Sequence, residues 1–190
     1  MKKVSTPNMI IGLGNYGSEF DLTRHNIGFD VLDALNSKNE KWKAGEHGLW
    51  CLNWHLDAVM LKPTTGMNSC GLMAEDALQT IQGDITHIIV VHDDMDFEPG
   101  QVRVKVGGGD GRHNGLKSII NKIGNDFTRI RVGIGKPRTK EDGMDFVLGR
   151  FTNKERKVIN DAIQLAAEAI NWVIKDGVQQ AMNRFNRREI

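Results

Sequence analysis

Two cysteines, Cys51 and Cys70, are all that the 190 residues contain, and they form no C-x-x-C pair. That spacing offers no disulfide framework, and buried, reduced thiols are the expectation for both. Four prolines are scattered, so there is no proline-rich linker, and neither an internal repeat nor a low-complexity tract is visible. Long apolar runs are missing too: the run at residues 9–13 is far too short for a signal segment or a membrane span. Excess charge is also absent, the formal net charge being +1. No global field commits the chain to a membrane or to nucleic acid, and any polyanion site must be a local patch. Together these absences point to a soluble, cytoplasmic protein.

Several catalytic signatures are missing as well. No G-x-S-x-G elbow occurs, which makes Ser69 and Ser118 poor nucleophiles. Leu116 stands between Gly115 and Lys117-Ser118, so the preceding glycine run is no P-loop. Gly12-x-Gly14-x-x-Gly17 has the spacing of a dinucleotide fingerprint. A helical pattern begins only near Asn26, however, and the position about 20 residues on lies inside it, not at a strand end. The dinucleotide reading is rejected.

What the chain does have is alternation. Buried-strand patterns lie at residues 9–13, 58–61, 87–91 and 130–134, with a further extended pair near 49–54 and 102–106. Helical patterns lie at 26–35, 67–81 and 113–123. Thr152-x-x-Glu155 reads as a capping box opening a long helix that ends near Asp176-Gly177. A short helix over 178–185 then runs into the basic stretch Arg184-x-x-Arg187-Arg188. Residues 37–48 and 136–145 read as exposed loops, the second carrying Lys136, Arg138 and Lys140 and expected to be mobile. The pattern predicts a single α/β domain over residues 1–190. Its twisted, mixed, mostly parallel β-sheet carries helices on both faces.

In such a sheet, ligands bind beyond the carboxyl ends of the strands. The first strand leads to Asn15 and then Arg24-His25-Asn26, the second to Met67-Asn68, and the third to His92-Asp93-Asp94-x-Asp96. A glycine run, residues 107–111, leads to His113-Asn114 at a helix start. Each residue has an ordinary reading: Asn15 in a left-handed turn, Asn114 as a helix N-cap, Asp93 as a local cap. Their recurrence at successive strand ends favours a site instead. A histidine held in one tautomer by a carboxylate suits base-catalysed attack by water, with asparagine amides positioning a carbonyl and its developing oxyanion. Adjacent residues of a strand point to opposite faces, so His92-Asp93-Asp94 is unfavoured as a metal cluster.

The stretches GLGNYG, TRHN, KPTTGMNSCG, VHDDMD, KVGGGDGRHNGLKSI, RIRVGIG and FVLGRF, in that order, resemble the motifs of the bacterial-type peptidyl-tRNA hydrolase family over nearly the whole chain. The resemblance implies a monomeric enzyme without metal or cofactor or obligate protein partner. It would cleave the ester between a peptide and the 3′ end of tRNA and recycle tRNA from aborted translation. His25 would be the general base, Asp93 its orienting partner, and Asn15, Asn68 and Asn114 the holders of peptide, 3′ end and water. Met67, Gly111 and His113 match neighbouring positions of the substrate cleft, and Lys105 and Arg131 those that clamp phosphate of the acceptor stem. Tyr16, Gly66, Cys70 and Arg112 depart from the family's usual proline, aromatic, serine and glycine, and none is a candidate catalytic group. A related fold also serves as a non-catalytic RNA-binding module, which would not need the intact set.

Overall fold

The buried-strand patterns become the centre of one seven-stranded sheet. The computed structural model describes residues 8–36, 38–137, 139 and 143–187. In chain order the elements are β1 (Asn8–Gly12), α1 (Ile27–Leu35), β2 (Lys43–Ala44), β3 (Gly48–Asn53), β4 (Ala58–Pro63), α2 (Gly71–Thr80), β5 (Ile88–Asp94), β6 (Val102–Val106), α3 (Asn114–Ile123), β7 (Thr128–Gly133), α4 (Gly143–Leu148), α5 (Asn153–Asp176) and α6 (Val178–Phe185). Across the sheet the order is β2-β3-β4-β1-β5-β7-β6. The central four strands, β4, β1, β5 and β7, are mutually parallel, whereas β2–β3, β3–β4 and β6–β7 pair antiparallel. The sheet is therefore mixed, with a parallel centre and antiparallel margins.

Alternate residues of the central strands feed two cores. Ile10, Ile89, Val91, Ile130 and Val132 face α1, α5 and α6, packing on Ile27, Leu32, Ile159, Ile163 and Phe185. Met9, Ile11, Ile88 and Val90 face α2 and α3, packing on Met73, Ala74, Leu116 and Ile119. Burial on both faces explains why residues 88–91 read as a continuous apolar run, the signature of a parallel interior strand. One margin is finished by a side chain. On the outer edge of β6, Asn186 accepts from Val104 N (2.8 Å) and donates to Val104 O (2.7 Å), pairing with the strand as a neighbouring backbone would.

The structure shortens or adds elements where local pattern is weak. The predicted helix at 26–35 starts at Ile27, because Arg24–Asn26 forms a separate 3-10 turn. Likewise Met67–Ser69 is a 3-10 turn ahead of α2. The expected loop at 37–48 contains β2, whose two residues pair with Trp50 and Leu49 and are too few to show alternation. The expected loop at 136–145 ends in α4, six residues long and too short for a helical stripe. Its Arg138 and Lys140 lie outside the described residues, as does Arg188 of the basic stretch.

The glycine spacing near the N-terminus serves packing. A Cβ on Gly12 would lie 2.5 Å from Gly28 O, and one on Gly28 would press on Leu13 N (2.5 Å), Leu13 O and Val91 O (2.6 Å). Two glycines thus let α1 cross directly over β1 and β5. Gly28→Ala meets backbone that cannot yield, so it should destabilise the fold by about 3 kcal/mol in urea denaturation. Gly109→Ala, with nothing within 4 Å of its Cβ, should stay near wild type.

Candidate active site

A cleft of about 560 Å³ opens at the carboxyl ends of the parallel strands. Asn15, His25, Met67, Asn68, Asp93, Lys105, Gly111, His113, Asn114 and Arg131 all line it, so the positions read from the sequence share one cavity. Met67, His25 and Asp93 are buried in its floor, while Asn68, Lys105 and Asn114 stand exposed at the rim.

Asp93, at the end of β5, is 3% exposed and organises the floor. Its Oδ1 accepts from His25 Nδ1 at 2.8 Å and from His113 Nε2 at 2.9 Å. The tautomer of His113 follows from the helix it caps. Its Nδ1 accepts the backbone N–H groups of Gly115 (3.1 Å) and Leu116 (3.3 Å), so its proton sits on Nε2 and points at Asp93. His113, and not Asn114, is therefore the N-cap of α3. His25 gives its Nδ1 proton to Asp93, which leaves Nε2 as the basic nitrogen. Burial works to lower the pKa of His25, but the charge of Asp93 and its hydrogen bond outweigh it, and the net result lies above the ordinary 6.5. Burial likewise works to raise the pKa of Asp93, yet His25 and His113 hold its carboxyl well below the usual carboxylate range. His92 packs edge-on to His113 with ring centroids 5.3 Å apart. It donates from Nδ1 to Asp93 O (2.7 Å), and burial followed by the neighbouring His113 pushes its pKa down to about 3.

The ligating atoms of His25, Asp93 and His113 lie within 4.8 Å of one another, which raises the question of a metal. The donor set does not fit one. Bonds of about 2.0–2.1 Å to a tetrahedral ion would separate its ligand atoms by roughly 3.4 Å. Here both nitrogens sit at hydrogen-bond distance from the same oxygen, and the one on His113 is committed to carrying a proton.

The 3-10 turn bearing His25 is fixed from both sides. On one side Asn26 clamps the backbone of Asn15: its Oδ1 accepts from Asn15 N at 2.8 Å and its Nδ2 donates to Asn15 O at 2.9 Å. On the other, Arg24 is buried and donates to Arg150 O at 2.9 Å and to Glu155 Oε2 at 3.1 Å. Its guanidinium lies 4.4 Å from the ring centroid of Phe146 and 5.0 Å from that of Phe151. Glu155 is also the acid of the α5 capping box, where it accepts from Thr152 N at 2.7 Å. One carboxylate thus starts α5 and anchors the turn that carries His25.

The basic wall rests on the β6–β7 ladder. Lys105 stands opposite Arg129 and Arg103 opposite Arg131, so four cations occupy two alternate rungs on either side of the Val104–Ile130 pair. Like charges placed opposite each other are unfavourable, which suits a wall that meets an anion. Arg131 Nε is 2.7 Å from Asp94 Oδ2. Buried Arg129 donates to Gly108 O and Gly109 O, both at 2.5 Å, and so pins the glycine loop that delivers Gly111 and His113. Arg24, Asn26 and His92 stand among the strand-end residues of the sequence without an assigned role, and Arg129 is not among them. Each adjoins or lies two residues from a selected residue, and that adjacency was the available signal.

Of the departures from the family pattern only Arg112 lines the cleft. A Cβ at Gly66 would meet nothing within 4 Å. Tyr16 is exposed, and Arg112 adopts φ 65, a conformation that glycine reaches without strain. Cys70 Sγ is 3.3 Å from Gly115 O, and burial pushes its thiol up to about 12, which keeps it protonated and inert.

Comparison with known proteins follows the same line. The family profile described as peptidyl-tRNA hydrolase matches residues 9–190. A peptidyl-tRNA hydrolase from Fervidobacterium nodosum is 42% identical over 184 residues, covering 96% of this chain and 97% of that protein. One from Rubrobacter xylanophilus is 44% identical over 181 residues, covering 94% and 99%. The crystal structure of peptidyl-tRNA hydrolase from Acinetobacter baumannii superposes with a TM-score of 0.89 at 36% identity, covering 98% of this chain and 97% of that one.

Removing Glu155 should separate its two duties. Thr152→Ala loses only a cap and should cost about 1 kcal/mol in urea denaturation. Glu155→Ala also leaves the buried Arg24 charge without its carboxylate and should cost about 2–4 kcal/mol.

Proposed function

This chain belongs to the peptidyl-tRNA hydrolase family, and we propose that it hydrolyses the peptide–tRNA ester with His25 as the general base. The observation that carries this assignment of His25 is its ring, whose Nδ1 is committed to Asp93 inside a cleft that four strand ends create. Nε2 takes a proton from water as the water oxygen attacks the ester carbonyl carbon. The tetrahedral intermediate then expels the ribose oxygen of the terminal nucleotide, which receives the proton back from His25. The products are a peptide carboxylate and a tRNA with a free 3′ end.

Asp93 stabilises the imidazolium that forms between these steps, and the second hydrogen bond, from His113, keeps its carboxylate aimed. Asn15, Asn68 and Asn114 offer amide donors around the carbonyl, the 3′ end and the attacking water. Met67, from the floor, and Gly111, from the glycine loop, lie beside the ester. Water is a fitting nucleophile because the one cysteine near the site, Cys70, is held protonated. Lys105 and Arg131 take phosphate of the acceptor stem as a fork that reads charge and not sequence. We read the protein as one domain acting as a monomer in the cytoplasm, on side-chain chemistry alone. Among the described residues no helix is long and apolar enough to cross a membrane.

His25→Ala should leave folding intact and lower kcat about 100-fold to 10,000-fold in a hydrolysis assay with N-acetyl-aminoacyl-tRNA. Wild-type rates in that variant would remove the base assignment. Because the base must be neutral, kcat/KM should fall as pH drops through a value above 6.5. In Asp93→Asn the burial of His25 persists while the charge that raises its pKa is gone, so the acid limb should move to lower pH and the maximal rate should drop. Lys105→Ala and Arg131→Ala should each raise KM and reduce the slope of log affinity against log salt by about 1.

A further inference from the structure

Helix α4 has little of its own to hold it. It is six residues long and buries none of them, and only Phe146 and Val147 lean partly on the core. Yet Met144, Val147 and Leu148 line the cleft. They fall at i, i+3 and i+4, so one face of the helix presents a single apolar strip. Met144 and Leu148 stand exposed on it. Phe20, a few residues before His25, lines the same cleft. This part of the lining is apolar where the β6–β7 part is basic.

The firmest hold on α4 comes from Arg24. Its Nη1 donates to Arg150 O (2.9 Å) and Phe146 O (3.4 Å), and its backbone N–H donates to Gly149 O (3.0 Å). Its guanidinium also lies over the Phe146 ring. Gly149 makes this approach possible, since a Cβ there would stand 3.2 Å from Nη1. Thr23 adds an antiparallel bridge to Arg150. On the far side of the guanidinium, Nη2 is spent on both oxygens of Glu155, which ties the assembly to the start of α5. Thr23 and Arg24 directly precede His25. The backbone that carries the base is therefore the backbone that carries α4.

We propose that Arg24 is a positioning residue that joins the apolar strip of α4 to His25, so that an apolar side chain of the substrate seated on α4 raises turnover as well as affinity. This deepens the hydrolase reading and rests on it: the favoured substrate class is an N-acylated aminoacyl ester whose aminoacyl side chain is apolar. A side chain seated on Met144 and Leu148 presses on α4, and α4 settles only together with the turn that Arg24 ties to it. Contact energy gained away from the ester thus goes into fixing Nε2 of His25 against the attacking water, which acts on kcat. A substrate without that side chain leaves the strip uncovered and loses the same share of kcat. Lysine cannot stand in for the arginine. Its ammonium keeps the charge that Glu155 needs but has no planar fork to span a carboxylate and two carbonyls.

The test compares N-acetyl-leucyl-tRNA with N-acetyl-glycyl-tRNA. Wild type should show a several-fold higher kcat on the leucyl ester. In Arg24→Lys, with folding checked by urea denaturation, kcat on the leucyl ester should fall to that on the glycyl ester. The acid limb of its pH profile should stay at the wild-type position, since the charge of Asp93 is what raises the pKa of His25. Met144→Ser/Leu148→Ser should remove the same preference, and Arg24→Lys added to it should remove no more. Gly149→Ala displaces the guanidinium without removing its charge; it should erode the preference likewise, and it carries the test if Arg24→Lys does not fold. Equal kcat on the two esters in wild type would overturn the proposal. So would a leucyl-to-glycyl ratio that survives in Arg24→Lys or Gly149→Ala, because a loss common to both esters belongs to the fold. A shifted acid limb would overturn it too, since Arg24 would then act through its charge. If wild type cleaves neither ester, the hydrolase reading itself fails and the coupling falls with it.

Discussion

A carboxylate removed from water must be held by donors, and Asp93 imposes that requirement on everything around it. Its Oδ1 receives one imidazole N–H from a 3-10 turn and another from the first residue before α3. Three segments far apart in sequence are brought to a single oxygen atom. The arrangement leaves each ring no choice of tautomer. His113 is fixed by the backbone it caps, and His25 by having Asp93 as its partner. The same buried charge that orders the floor also makes His25 a stronger base than burial alone would allow.

This organisation was partly legible before any coordinates. Strand 88–91 announces itself because burial on two faces removes polar residues, and the candidate site residues fall at strand ends because parallel sheets collect ligands there. The capping box at Thr152 and Glu155 is a local motif and was visible as such. What stayed hidden is long in range or short in length. Glu155 holding Arg24 spans 131 positions, and no spacing rule reports that contact. Strand β2 has two residues and takes its conformation entirely from β3. The N-cap shifted from Asn114 to His113 because an imidazole nitrogen can accept backbone N–H groups as well as an amide oxygen can. The glycines at 12 and 14 make room for α1, whose Gly28 and Phe29 lie where their Cβ atoms would be, and that reason is visible only in three dimensions.

Charge follows the same division between bulk and local. Composition reports near neutrality, and that figure hides a ladder on which Lys105, Arg129, Arg103 and Arg131 face one another in pairs. Arg129 is spent on holding carbonyl oxygens of the glycine loop, so the same strand that presents cations to the cleft also shapes its floor. The cations that face the cleft and the contacts that hold the glycine loop are thereby built on one two-stranded ribbon.

The Asn186 side chain on β6 has a bearing on solubility. An open strand edge invites pairing with any extended chain that meets it. Here an amide borrowed from the end of α6 occupies both hydrogen-bonding groups of Val104 and closes the template at mid-strand. The last helix is consequently a guard against edge-to-edge self-association. Chains that lost it would bare the β6 edge together with the part of the core that Ala181 and Phe185 cover, and so offer their neighbours a place to stack.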